Sequence, residues 1–243
     1  MSKNDFLDNE AKYLEFTWTI MERHYQSKET FVNQYQALST AEVKNQFLQL
    51  ASYYKFLVRE FNYEHPEGFD VDFAAQTYKF IGLIALIESL YTTEDYKDFY
   101  EWLITHDPAD TYPIKDKSDL KKLFEEYCVQ HGSTRKIVRY FQGLDKSAQQ
   151  YITNAVIKLV NVEGAGELDE EREPIEKLAK LLFQIRSDFV HHGRLVLEFS
   201  DSTVISKRDK SVCYYNIELE ELEKIFETEL LKHYNFTPER EVI

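Results

Sequence analysis

What the chain holds little of narrows its class first. Seven Gly and five Pro are few for 243 residues, and so few chain breakers point to long regular elements rather than many tight turns. Two cysteines, Cys128 and Cys213, lie far apart with no Cys-x-x-Cys and no neighbouring His pair. That excludes a disulfide scaffold and a zinc finger and fits a reducing, cytoplasmic setting. Cations are outnumbered, with a net charge of −14. A general basic field that coats nucleic acid is therefore excluded, and any contact with a polyanion has to be local. The longest apolar run, Phe80 to Ile87, falls far short of the roughly 18 residues that a membrane-spanning helix needs. The first residues, MSKNDFLDNE, are polar and acidic, without the apolar core of a secretion signal. No His-Glu-x-x-His and no clustered set of carboxylates and histidines is present, so neither a metal-dependent hydrolase nor a bound cofactor or metal is expected. No internal repeat stands out.

What is present is apolar and aromatic. Hydrophobic residues make up 43% of the chain, with 17 Tyr and 17 Phe, enough for a large core of interlocked helices with polar-tipped rings at their edges. Helical spacing of apolar residues runs through residues 5–37 with a break near Ser27 to Thr30. Ser39 and Glu42 are spaced as a capping box for a helix from Ala41 to Phe61. The stretch Val71 to Tyr91 is apolar nearly all round in its second half and reads as the central core helix, with Glu88 either paired to a cation or turned to solvent near its end. Shorter helices are predicted over 94–105, 118–130, 134–142 and 146–160, with Gly132 and Gly143 as left-handed helix ends. The sequence NVEGAGELDEE reads as a solvated acidic loop. β-Branched and aromatic runs after Gly193 predict a small hairpin or meander over about 194–217, and a last amphipathic helix covers Leu219 to Tyr234. The expectation is a mainly α multi-helix bundle with a small β appendage, divided into residues 1–68, an N-terminal helical region packed on the core, and residues 69–243.

One stretch concentrates polar groups where a helix should stop. In LLFQIRSDFVHHGR, Leu181 to Arg194, an apolar stripe of Ile175, Leu178, Leu182, Ile185 and Phe189 ends in Arg186, Asp188, His191, His192 and Gly193. A His at a helix C-terminus faces the negative end of the peptide dipoles, which favours the imidazolium. Arg186 adds a permanent cation whose planar fork matches phosphate oxygens. One guanidinium and one or two imidazoles are what metal-free RNA cleavage requires: a base, an acid, and positive charge for the phosphorane. Asp188 and His192, four apart, share a helix face, so the carboxylate can orient the ring. Arg186 and His191, five apart, leave a regular helix on faces about 140° apart. The two meet only if the last turn unwinds, if the arginine reaches across, or if a second copy completes the site. Arg59 and His65 show similar spacing, so spacing alone does not select Arg186; the helix end, the apolar stripe, the paired His and the Gly do. An ordinary polar helix end, with the cation on Asp188 or Glu88 and a His capping carbonyls, accounts for the same residues.

The segment Ile185 to Gly193 resembles the Arg-x4-6-His signature of the HEPN superfamily, and the apolar helix 79–91 ending in Glu88 resembles that superfamily's earlier core helix. The resemblance covers about Val71 to Tyr91 and Pro174 to Tyr234. It departs from the family pattern at Ser187, where Asn or Asp is frequent, and in the doubled His. It implies a helical bundle, a homodimer that joins two motifs in one cleft, and metal-independent endoribonuclease activity, with a toxin or phage-defence role and an antitoxin or regulatory protein as partner. The catalytic residues it implies are Arg186 and His191, tuned by His192 or Asp188. Arg194, Lys207, Arg208 and Lys210 form the cationic cluster expected to hold RNA locally, with Arg135, Lys136 and Arg139 as a second candidate patch. The alternative is a catalytically inactive helical interaction or assembly module. His24, His106, His131 and His233 have no partners at useful spacing and receive no role.

Overall fold

The computed structural model describes residues 5–61, 71–91, 97–105, 114–161, 168–193, 203–208 and 211–240, with residues 71–74 and the strand residues from 157 onward described as backbone. Among these residues the protein is mainly helical, with ten α-helices: α1 Glu10–Met21, α2 Lys28–Gln36, α3 Ala41–Tyr54, α4 Val71–Leu90, α5 Phe99–Thr105, α6 Lys117–His131, α7 Ser133–Gly143, α8 Lys146–Ala155, α9 Ile175–His192 and α10 Leu219–His233. Short polar side chains start several of them by accepting an orphan backbone N–H. Ser27 accepts from Thr30, Thr40 from Val43, Asp116 from Ser118 and Asp119, and Asp145 from Ala148. The cap of α3 is thus Thr40, one residue later than the capping box over Ser39 and Glu42 would have it.

Four strands form one antiparallel sheet in the order β2–β1–β4–β3, with β1 Val156–Asn161, β2 Leu168–Glu171, β3 Thr203–Arg208 and β4 Ser211–Tyr215. Its register sets Lys158 opposite Glu171 and Cys213. Two sequence expectations change here. The helix expected over 146–160 stops at Ala155, because the β-branched run Val156, Ile157, Val160 suits a pleated strand better than a helical turn. Part of the acidic stretch expected as a solvated loop, Leu168–Glu171, is a strand paired with β1. The run from Arg194 to Ser200 lies outside the described residues.

One hydrophobic cluster runs from Phe6 to Phe236 and draws on nearly every helix. At its centre α4 buries Phe80, Leu83, Ile84 and Ile87 and packs against α3, α7, α9 and α10. The helix expected to reach Phe61 ends at Tyr54 and continues as a π turn, Lys55–Arg59. The turn leads the chain from buried Tyr54 to Arg59, whose guanidinium reaches Glu223 of α10 at 2.9 Å. A buried polar knot beside it ties the N-terminal helices to α10. Glu227, fully buried, accepts from Arg23 Nε at 2.6 Å and Tyr54 OH at 2.6 Å and lies 2.9 Å from His24 Nε2. His24, assigned nothing from sequence, is therefore a core partner of a carboxylate.

Gly132 joins α6 to α7 in an extended conformation, not the left-handed one expected. Glycine is needed there because a Cβ would sit 2.4 Å from the Cys128 carbonyl oxygen. Gly143 lies inside the last turn of α7 rather than beyond it. Among the described glycines the left-handed position belongs to Gly193, at φ 63°.

Candidate functional site

Helix α9 is anchored through Leu178, Ala179, Leu182 and Ile185, which are buried against α7, α8 and α4. That packing fixes where the next residue points. Arg186 follows Ile185 and lies mostly inside, its side chain 22% exposed, with the guanidinium 5.8 Å above the Phe183 ring. Its Nη2 is 3.6 Å from Glu88 Oε2 on the last turn of α4, an ion pair too long for a hydrogen bond. Its Nε is buried and meets no acceptor among the described residues. The other oxygen of Glu88 accepts a short hydrogen bond from the Ser133 hydroxyl at the start of α7. Glu88 therefore joins α4, α7 and α9 in one polar junction, which decides for pairing over a solvent-facing rim position.

The histidines lie on the outside. α9 stays helical through His192, and Gly193 closes it with an N–H bond to the Phe189 carbonyl at 2.8 Å. The last turn does not unwind. With Arg186 turned inward to Glu88, His191 leaves the helix about 140° away and is exposed. His192 stands 6.4 Å from the His191 ring, and its Nδ1 is 3.8 Å from Asp188 Oδ1. Asp188 is held by the Gln184 amide at 2.8 Å. Asp188 and His192 thus form the pair that their spacing indicates, while Arg186 and His191 are not brought together within one copy. Beside the histidines, Val190 and Tyr78 are about half exposed, and Phe189 packs edge-on against Tyr78 at 5.4 Å.

The cationic candidates separate. Lys207 and Arg208 sit at the end of β3, opposite Val212 and Ser211 in register, whereas Arg194 and Lys210 lie outside the described residues. The second patch is the one at the junction. α7 packs on α4 and α9, and Lys136, half-buried, stands within electrostatic reach of Glu88. Burial pushes the Lys136 ammonium below its ordinary range, and the Glu88 carboxylate partly offsets that. The sequence flags Lys136 but gives little sign of Ser133, whose one signal is a hydroxyl next to a helix-breaking glycine. The competing pair dissolves: Arg59 is engaged by Glu223, and His65 lies outside the described residues.

Among the described residues no group of three His, Cys, Asp or Glu side chains is arranged to hold a metal, and no helix is long and apolar enough to cross a membrane. A half-open cavity of about 510 Å³, lined by Gln34, Ser39, Gln46, His233 and Asn235, shares no residue with the Arg186 junction. Tyr234, whose buried hydroxyl has no partner among the described residues, also lines it, but the arginine and the imidazoles of the motif are elsewhere. Comparison with protein-family models, curated proteins and solved structures finds no match for the chain.

Proposed function

We propose that the protein is a metal-independent endoribonuclease of HEPN type that acts as a homodimer. One observation carries the reading: a mostly buried guanidinium whose Nε has no acceptor among the described residues and whose Nη2 stands 3.6 Å from Glu88, near the end of a helix that closes with two exposed imidazoles. A buried donor without an acceptor costs about 1–3 kcal/mol, and a phosphate oxygen would remove that cost. Arg186 takes a non-bridging oxygen of the scissile phosphate and the charge that develops on the phosphorane. An imidazole accepts the 2′-hydroxyl proton as that oxygen attacks phosphorus. The P–O5′ bond then breaks, an imidazolium protonates the departing 5′-oxygen, and a cyclic phosphate and a 5′-hydroxyl are left. His191 is the principal proton carrier, and Asp188 orients His192.

The divergence of Arg186 and His191 on a regular helix supports a second copy, because each arginine then works with the partner's imidazole. The half-exposed Tyr78 and Val190 beside the histidines suit an apolar contact between copies. The competing reading, a non-catalytic helical assembly module, draws on the Arg186–Glu88 pair, which by itself can be structural.

Cleavage of varied RNAs in EDTA tests the reading. The wild type should cut, and His191→Ala should lower the rate by about 10²–10⁴. Mixing Arg186→Ala with His191→Ala should restore about a quarter of wild-type activity, since half of the dimers are mixed and each holds one intact site. Cleavage by His191→Ala at the wild-type rate, or intact RNAs after incubation with clean wild type, would refute it.

A further inference from the structure

Helix α7 carries the strongest departure from the overall charge of the chain. Residues 114–143 hold seven Lys or Arg against four Asp or Glu, in a protein of net charge −14. The basic residues of α7 itself are Arg135, Lys136 and Arg139, and the helix lies along the end of α4. Its start is fixed there by the Ser133–Glu88 hydrogen bond. One turn on, Lys136 is within electrostatic reach of Glu88, and a turn further Arg139 acts on Tyr91 against the larger effects of burial and Glu229, the Tyr91 ring standing 6.2 Å from Tyr140. Ile137, Tyr140 and Phe141 are buried and hold the helix in this setting, while Arg135 and Arg139 stay exposed.

This arrangement makes α7 and Arg186 a single surface. Glu88 touches Arg186 on one side and Ser133 on the other, so the cation at the end of α9 and the cations of α7 share one junction. The Glu88 carboxylate stands between Arg186 and Lys136, and Arg139 lies a turn away, where Glu229 of α10 also acts on Tyr91 and Tyr140. Along α7, Lys136 and Arg139 are separated by about 4.5 Å of helix rise and lie on neighbouring faces. α7 begins at Gly132 without a side-chain cap, so its first-turn N–H groups add a partial positive charge at the same end.

We propose that α7 is the strand-binding platform of the site, with Lys136 and Arg139 taking phosphates of single-stranded RNA that leads to Arg186. This rests on the ribonuclease reading and names the surface that presents its substrate. It moves the binding role from Arg194, Lys207, Arg208 and Lys210 to α7. Each phosphate neutralised by a cation displaces counterions, so the platform has a measurable signature in salt dependence.

The test uses the full chain carrying His191→Ala, which slows cleavage, and a fluorescently labelled oligouridylate, with binding followed by anisotropy across a salt series. Lys136→Gln and Arg139→Gln should each shallow the slope of log affinity against log salt by about 0.7, and the double variant by about 1.4. The double variant should also weaken binding at least about tenfold at low salt. Arg139 is exposed, so Arg139→Gln keeps the test valid if the half-buried Lys136 position disturbs folding. Lys180→Gln, which removes an exposed cation paired with Glu176 elsewhere on α9, should leave the slope as it is. RNA binding by the parent with an unchanged slope in both α7 variants overturns the platform and leaves the ribonuclease reading standing. Absence of RNA binding by the parent overturns both.

Discussion

Replacing Glu227 by Ala should cost more stability than any exposed substitution, and the structure sets the size of the loss. The carboxylate is fully buried and serves three donors, Arg23 Nε at 2.6 Å, Tyr54 OH at 2.6 Å and His24 Nε2 at 2.9 Å. The donors respond differently to its removal. Arg23 is a quarter exposed and can turn partly to water, whereas His24 and Tyr54 are 1% and 0% exposed and cannot. Burial, reinforced by Glu227 and Glu223, pushes the Tyr54 hydroxyl well above its ordinary range, so it remains an O–H donor that needs an acceptor. Removing one partner of a buried charged cluster costs about 3–5 kcal/mol. At about 2–4 °C per kcal/mol for a chain near this size, the melting temperature should fall by roughly 6–20 °C. Circular dichroism melts and urea titrations read the change. Glu227→Gln, which keeps the shape and one acceptor, should fall between Ala and wild type. Lys121→Ala, which breaks an exposed pair with Glu125 at 3.7 Å, should leave the melting temperature unchanged. His24→Ala and Glu227→Ala should lose less together than the sum of their separate losses, because they remove the same contact. A loss below about 1 kcal/mol in Glu227→Ala would refute the view that this knot fixes the N-terminal helices on α10.

Local geometry sets two further outcomes. Gly193 has φ 63°, and a Cβ there would meet nothing within 4 Å, so Gly193→Ala should cost only backbone strain, about 1–2 kcal/mol in urea unfolding; an unchanged midpoint would show that the α9 end does not need the left-handed turn. The Asp145 carboxyl is pulled from 3.8 to about 2, chiefly by the Ala148 N–H, then by the Ser147 hydroxyl and Lys232. Its folded value is depressed, so its stabilisation is complete above pH 3.8 and is lost as pH falls through about 2. The group is largely exposed, which discounts the effect to about 1 kcal/mol. Asp145→Asn, which can still cap α8, should flatten acid unfolding in that window, and an unchanged acid limb would count against the assignment.

The helices are legible in the sequence where the apolar periodicity is strong, as at α4, α9 and α10, and so is the burial of α4. What the sequence conceals has two physical sources. Competing local preferences decide some boundaries: Val156 to Val160 could extend a helix or start a strand, and only pairing with β2 and β4 chooses the strand. Gly132 misleads for a similar reason, since glycine serves close approach as well as positive φ, and the Cys128 carbonyl that requires it is fixed by the end of α6. Long-range polar partners are hidden altogether. Nothing near His24 in sequence announces Glu227, 203 residues away. The site divides along the same line. The pairing of Asp188 with His192 follows from four-residue spacing, but the junction of Arg186, Glu88 and Ser133 needs three helices that only the core brings together.

That junction also bears on how an acidic protein would accept a polyanion. Outside residues 114–143 the acidic excess is larger than the net charge of −14 suggests, so most of the surface repels a phosphate backbone. Repulsion of that kind favours approach along the cations of α7 and sets the direction from which a strand meets Arg186. At low salt these cations attract and the body repels. Raising the salt screens both, with the exposed Arg139 affected more than the half-buried Lys136. A strand on α7 would therefore lose affinity with salt through few contacts while keeping one preferred pose, so discrimination among RNAs should fall less steeply than affinity. On this reasoning the acidic surface acts as part of substrate selection, and neutralising acidic residues far from α7 should strengthen binding while weakening its preference for single strands.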